Sequence, residues 1–215
     1  MRLFVAGASG RLGQCVVAQA LDLGHEVTAL VRRPDALPMR SGLTSVSGEV
    51  AGQASDWAHS VRDHDAVIST LGNPLCLKGL HGPAIVARAF DNLTEAMWSN
   101  GVSRFVTALA WGTGVSRKPA GLLVRTIAAT LIRRDYKDFD AAERILDEGC
   151  LDWTIAYFGA LTDAPASAGW SVTELPKAPR RFAIARADVA TFLISAATEA
   201  KSALPRRAVL SGAPT

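Results

Sequence analysis

A doubly wound α/β domain, with a mainly parallel sheet and helices on both faces, is the fold class this sequence predicts. Three observations predict it. The chain opens with an apolar run, Leu3-Phe4-Val5-Ala6, then the turn Gly7-Ala8-Ser9-Gly10-Arg11-Leu12-Gly13, then an apolar helical pattern. Strand-like and helix-like segments alternate regularly after that, the pattern of stacked βαβ units. Finally, 49% of the 215 residues are hydrophobic, enough to bury a parallel sheet on both faces.

Each element has its own local reason. Arg2 to Ala6 reads as the first strand and Leu12 to Leu23 as the first helix, stopped by Gly24. Glu26 to Val31 is the second strand, Pro34 to Met39 a broken connection, and Leu43 to Ser47 a short third strand. Ser55 to Val61 gives a weak helical signal, and Asp65 to Thr70 a fourth strand. A loop from Asn73 to His81 leads to a helix over Pro83 to Ser99, with Val86, Phe90, Leu93 and Met97 forming an apolar stripe. Arg104 to Leu109 is a fifth strand. Leu122 to Arg133 and Tyr136 to Glu148 read as helices, the second closed by Gly149, and Leu151 to Tyr157 as a sixth strand. Trp170 to Leu175 and Arg181 to Ile184 read as short edge strands. Asp188 is placed to cap a helix over Val189 to Ala197, and Arg207 to Leu210 suits a last strand. With no repeat and no linker, residues 1–215 are expected to form a single domain, with a small substrate-side region at about 157–185.

Composition excludes several function classes. A net charge of +3 and two short basic clusters, Arg133-Arg134 and Lys177 to Arg181, do not make the long basic stripe of a nucleic-acid binder. Cys15, Cys76 and Cys150 are odd in number and widely spaced. That argues against a zinc site or disulfide framework and fits a reducing cytoplasm, where we expect the protein. No stretch is apolar enough to span a membrane, and with the first strand starting at Arg2 no secretory leader is expected.

The glycine turn carries the chemistry. A strand, a glycine-rich turn and a helix in this order form the start of a dinucleotide-binding Rossmann unit. Gly7 turns the chain off the strand, Gly10 gives backbone access to a pyrophosphate, and Gly13 lets helix and strand pack closely. Ser9, Arg11 and Leu12 complete the turn, and the helix N-terminus presents free N–H groups to phosphate. NAD-selective sites place an acid at the end of the second strand to accept from the ribose 2′-hydroxyl. This chain has Arg32-Arg33 there, and a guanidinium suits a 2′-phosphate, so NADP(H) is expected over NAD(H). Glu49 and Val50, after the third strand, lie either beside the adenine or in an ordinary solvated turn. Leu71, Gly72 and Asn73 end the fourth strand and should line the cofactor cleft. Tyr157 and Phe158 end the sixth strand, where they either wall the nicotinamide and a flat substrate or pack in the core.

The Tyr/Lys pair one helical turn apart that serves proton transfer in ordinary dehydrogenases is missing. Tyr136 is followed at that spacing by Asp140, and Lys137 lies about 100° around the helix. Tyr136 therefore reads as a surface tyrosine and His81 as a surface histidine. No catalytic residue is assigned.

The turn at Gly7 to Gly13, Val31-Arg32, Gly48-Glu49-Val50, Leu71-Gly72, Gly149 to Thr154 and Ala185-Arg186-Ala187-Asp188-Val189-Ala190 together resemble the compact atypical short-chain dehydrogenase/reductases. This is the NAD(P)-binding group similar to NmrA and to biliverdin reductase B, a flavin reductase. The resemblance implies NADPH binding and hydride transfer to a flavin, quinone or other small flat acceptor. The family's substrate-side histidines correspond to Glu143 and Ala160, a departure that touches the acceptor more than the cofactor. Two alternatives stand beside the reductase: a non-catalytic NADP-binding sensor that regulates a protein partner, and a nucleotide-sugar epimerase- or dehydratase-like enzyme.

Overall fold

The computed structural model describes residues 1–72, 84–121, 133–199 and 204–213. Its strands are β1 (Arg2–Ala6), β2 (Glu26–Val31), β3 (Leu43–Ser47), β4 (Ala66–Ser69), β5 (Arg104–Ala110) and β6 (Asp152–Phe158), followed by β7 (Ala160–Thr162), β8 (Ser171–Glu174), β9 (Ala183–Ala185) and β10 (Arg207–Ser211). Its described helices are α1 (Arg11–Asp22), α2 (Val86–Ser99), α3 (Arg133–Glu148) and α4 (Arg186–Thr198). The main sheet has the order β3-β2-β1-β4-β5-β6-β10-β8. Every neighbouring pair is parallel except β10 and β8. The predicted doubly wound α/β class is therefore the observed one.

Two apolar layers flank this sheet. On one face α1 and α4 pack together and cover Leu3, Val5, Ala29, Ile68 and Val106. On the other, α2 and α3 cover Phe4, Val67, Phe105 and Ile155. The predicted stripe Val86, Phe90, Leu93, Met97 is wholly buried. Each such side chain contributes roughly 1.5–3 kcal/mol of transfer free energy.

Several expected elements change in detail. Ser55 to Val61 forms two 3₁₀ turns, Ala54–Asp56 and Ala58–Val61, held by Trp57, whose indole N–H donates to the Glu49 carbonyl at 3.2 Å. The expected helix at Leu122 to Arg133 lies almost entirely outside the described residues; Arg133 begins α3. Asp188 is not a cap. The cap position of α4 is Ala185, and Asp188, in the first turn, instead accepts from the Ser167 N–H at 2.7 Å and hydroxyl at 2.8 Å. Of the two predicted edge strands, only β8 joins the main sheet; β9 pairs with β7 in a small separate one.

The helices are held by groups far away in sequence. No side chain of its own caps α2; Asp138 of α3 accepts from the N–H groups of Val86 and Ala87 at 2.8 and 3.1 Å. At the other end of the molecule Arg104 of β5 donates from Nε and Nη2 to the Ala196 carbonyl in the last turn of α4, at 3.0 and 2.6 Å. These charge-assisted bonds satisfy groups that a helix end leaves open.

The tightest contact is between α1 and the turn before it. Gly7 has φ +82°, a conformation that L side chains rarely adopt. A Cβ on Gly13 would sit well inside contact distance of the Gly7 carbonyl and 2.7 Å from Ala8 Cα. We expect Gly13→Ala to destabilise the fold by about 1–3 kcal/mol, the cost of forcing backbone apart. Urea unfolding of the two proteins measures this, and an unchanged midpoint would contradict the packing described.

Candidate functional site

The register of the sheet gathers the predicted residues along one edge. Ala6 is aligned with Leu30 of β2 and with Ser69 of β4, and Val31 with Ser47 of β3. Gly7, Arg32, Gly48 and Thr70 therefore leave the carboxyl ends of four adjacent strands side by side. The strand order reverses direction at β1, with β2 on one side and β4 on the other. A crevice opens there because successive connections run to opposite faces.

The turn itself is closed by the Gly10 N–H, which donates to the Gly7 carbonyl at 2.9 Å. Ser9 is exposed, and its carbonyl accepts from Gln14 Nε2 at 3.0 Å. Leu12 is buried in the α1 layer, so only its backbone faces the turn. Gly10 is the cap residue of α1 in extended conformation; no side chain caps the helix, and its first turn holds no acid. A Cβ on Gly10 would meet only the Gly7 carbonyl, at 3.2 Å, and one on Gly72 only Phe139 Cζ, at 3.9 Å. The protein's own packing thus needs glycine at position 13 more than at 10 or 72, and the last two leave space beside the turn. Thr70, in the stretch from Ser69 to Asn73 that ends the fourth strand, donates its hydroxyl toward the carbonyls of Ala6 and Gly7, each at 3.1 Å, and ties β4 to the turn. Leu71 is half-buried against Gly7 and Gly72 is exposed; Asn73, Cys76 and His81 lie outside the described residues.

Arg32 and Arg33 are both exposed, and neither has an ion-pair partner among the described residues. Arg11 is different, being paired with Asp163. Glu49 presents its carboxylate to solvent while its carbonyl holds Trp57, and the half-buried Val50 gives its carbonyl to Asn92 Nδ2 at 2.8 Å.

Tyr136 differs from the sequence expectation, and for Tyr157 the structure takes the packed alternative. Tyr136 is no surface residue: it is buried, and its hydroxyl donates to the Trp111 carbonyl at 3.0 Å. Lys137 is exposed and lines a separate surface cleft with Asp140 and Arg144, so the two do not form a relay. Tyr157 does not wall a pocket; it is fully buried against Trp111. Strand alternation points it into the α2–α3 layer, while the neighbouring Phe158 is half-buried against the opposite layer.

Tyr157 instead belongs to a buried polar network that residue types alone do not reveal. Its hydroxyl donates to Glu143 Oε1 at 2.7 Å. The same oxygen accepts from Nε and Nη2 of Arg207, both at 3.2 Å, and the other carboxylate oxygen from the Val115 N–H at 3.3 Å. Arg207 Nη2 goes on to Asp147 at 2.6 Å. Burial raises the Glu143 carboxyl above its ordinary range, opposed by the Tyr157 hydroxyl and Arg207. Burial and the Glu143 charge push the Tyr157 phenol far above its ordinary value, and burial raises that of Tyr136. Both phenols are thereby poorer acids than an exposed tyrosine.

The class these features define is a Rossmann-fold nucleotide-binding protein, with a glycine turn at the start of α1 and the ordinary Tyr/Lys relay absent among the described residues. More specifically, residues 7–200 match the NAD(P)H-binding protein family, and the chain belongs to it. A curated relative, the 3-beta-hydroxysteroid dehydrogenase of Mycolicibacterium neoaurum, is 34% identical over 117 residues, which are 49% of this chain and 31% of that protein. The match thus spans about a third of the relative's length. The anaerobilin reductase ChuY of Escherichia coli O157:H7 shares the fold at a TM-score of 0.77, with 23% identity over 98% of this chain and 96% of that one. A short-chain dehydrogenase/reductase of Veillonella parvula, in complex with NADP, superposes at a TM-score of 0.80, with 13% identity over 99% and 94% of the two chains. Among the described residues no helix is long and apolar enough to cross a membrane.

The network has a pH signature. An unfolded Glu143 titrates in the ordinary range and the folded one above it. Between those values the native state holds more protons, so this group's contribution to stability falls as pH rises and is level outside the window. We expect the native protein to lose stability relative to Glu143→Gln as pH rises through and above the ordinary carboxyl range. Urea unfolding across that range measures the difference; a gap that stays constant or moves the other way would contradict the assignment.

Proposed function

We propose that this protein is an NADPH-dependent oxidoreductase that reduces a small, flat, conjugated acceptor such as a flavin or quinone. One observation carries the cofactor half of this reading. The uncapped, acid-free start of α1 lies at the same sheet edge as two exposed arginines with no ion-pair partner among the described residues. The backbone N–H groups of Ser9, Arg11 and Leu12 hold the pyrophosphate, in the space that Gly10 leaves by lacking a Cβ. Arg32 and Arg33 hold the 2′-phosphate. Glu49 and Val50 border the adenine, and Leu71, Gly72 and Asn73 border the nicotinamide ribose. A bound nicotinamide supplies the hydride. Phe158 borders the substrate side, together with the 157–185 segment that contains β7, β8 and β9. Tyr157 acts only behind this surface, through the packing of β6. Tyr136 and Tyr157 are both engaged and both poor acids, so the acceptor takes its proton from water. The likeness to an anaerobilin reductase supports a flat conjugated acceptor, and the NADP-bound relative of the same fold supports the cofactor.

A second reading has one observation in its favour. The burial of Tyr136 and the separate placement of Lys137 leave no dehydrogenase relay among the described residues, which suits a redox sensor that binds NADP and regulates a protein partner. NADPH oxidation against a panel of flavins, quinones and linear tetrapyrroles decides between the two. Turnover supports the reductase; tight binding without turnover supports the sensor.

Two variants test the cofactor half. Gly10→Val keeps an allowed backbone conformation, so it should fold, yet lower NADPH affinity by at least about tenfold, or ~1.4 kcal/mol. Unchanged calorimetric binding in the folded variant would remove the pyrophosphate assignment. Native protein should also bind NADPH more tightly than NADH, by a margin of roughly 1.5–3 kcal/mol that Arg32→Ala largely abolishes and that added salt reduces. Equal affinity for the two dinucleotides in the native protein would refute the preference.

A further inference from the structure

α1 and α4 pack together, and each begins with an arginine, Arg11 and Arg186. Between these two side chains lies one carboxylate. Asp163, directly after β7, accepts from Arg186 Nη1 on Oδ1 at 2.6 Å and pairs through Oδ2 with Arg11. The two arginines are not equivalent. The Arg186 side chain is 15% exposed and that of Arg11 is 66% exposed. Arg186 is therefore the fixed partner of Asp163, and Arg11 the one that can leave. The same connection is anchored again four residues on, where Ser167 is bound through N–H and hydroxyl to the buried Asp188. Asp163 is thus held at the glycine turn from outside it, beside a helix start that has no acid of its own.

We infer that Asp163 is an internal competitor for the dinucleotide pyrophosphate, and so sets the affinity of the site. Without cofactor it holds Arg11. When the pyrophosphate arrives, Arg11 transfers to a phosphate oxygen and Asp163 stays on Arg186. The carboxylate opposes binding in two ways. Its ion pair with Arg11 must be given up, and its charge repels the incoming phosphates at close range. The inference rests on the reading of the glycine turn as a pyrophosphate site. It differs from the role given to Arg32 in one respect: NADPH and NADH share the pyrophosphate, so Asp163 acts on both alike.

Calorimetric titration of NADPH and NADH into native protein, Asp163→Asn, Asp163→Glu, Arg11→Ala and the Arg11→Ala/Asp163→Asn double variant tests this. Asp163→Asn should tighten both dinucleotides by the same factor, about threefold to tenfold, as expected for releasing a half-exposed ion pair and a nearby like charge. When Arg11 is already alanine only the charge repulsion is left to relieve, so the gain should be clearly smaller, and Asp163→Glu should stay within about twofold of the native protein. Thermal unfolding checks that each variant is folded. Unchanged or weaker binding in folded Asp163→Asn, or a full gain that persists without Arg11, overturns the competitor while leaving the cofactor site in place. Native protein that binds neither dinucleotide overturns the pyrophosphate reading as well.

Discussion

The constraint on which the rest depends is the position of β1, paired in parallel with β2 on one edge and β4 on the other. A parallel neighbour cannot be reached by a hairpin; the chain must cross back over a face of the sheet, and it does so with right-handed sense. Placing the second crossing on the opposite side of β1 from the first sends the connections to different faces. They part above the carboxyl end of β1, and the Gly7 turn stands in the gap. The close seat of α1 at Gly13 and the Thr70 hydroxyl on the Ala6 and Gly7 carbonyls fix that turn from both sides. The crevice at the Gly7 turn is thus a product of topology first and of side chains second.

α3 plays a different part, joining layers through acids that are buried, Asp138 and Glu143, or half-buried, Asp140. Asp138 serves the N-terminus of α2, Asp140 accepts from the Gly114 N–H at 2.7 Å, and Glu143 gathers Tyr157, Arg207 and Val115. A carboxylate taken out of water is costly unless its oxygens find donors. Here each of the three carboxylates has at least one N–H or O–H donor, and the donors come from separate segments. The helix is thereby tied in place by contacts that no local propensity specifies. The same network holds Tyr157 inside the layer of α2 and α3.

The parts of this architecture that could be read from the sequence are those with a local cause. β1, β2 and β3 have the predicted limits because apolar runs end at glycine, at arginine pairs or at polar turns. The α2 stripe is legible from its spacing and the tight turn before α1 from its glycines. What could not be read depends on partners distant along the chain. Asp188 looks like a helix cap because an acid before an apolar helical run usually is one, but Ser167 claims it. Tyr136 looks like a surface residue on a charged segment, but the Trp111 carbonyl lies above it. A tyrosine ending a strand over a cleft can face either way, and only the register of β6 with β10 and the presence of Glu143 decide that Tyr157 turns inward. Asp163 carries no motif at all; its partners are 152 residues before it and 23 after.

The ends of the main sheet have a consequence for how the molecule behaves in a crowd of its own copies. One edge is β3, five residues long, with Thr44, Ser45 and Ser47 exposed. The other is β8, four residues long and antiparallel to its neighbour, followed by Pro176, which has no N–H to offer. An open strand edge is a template on which a second chain can add a strand, and length and flat apolar surface make the template effective. Both edges here are brief, and one of them is polar. An eight-stranded sheet with a largely apolar middle is in this way kept from growing sideways into its neighbours.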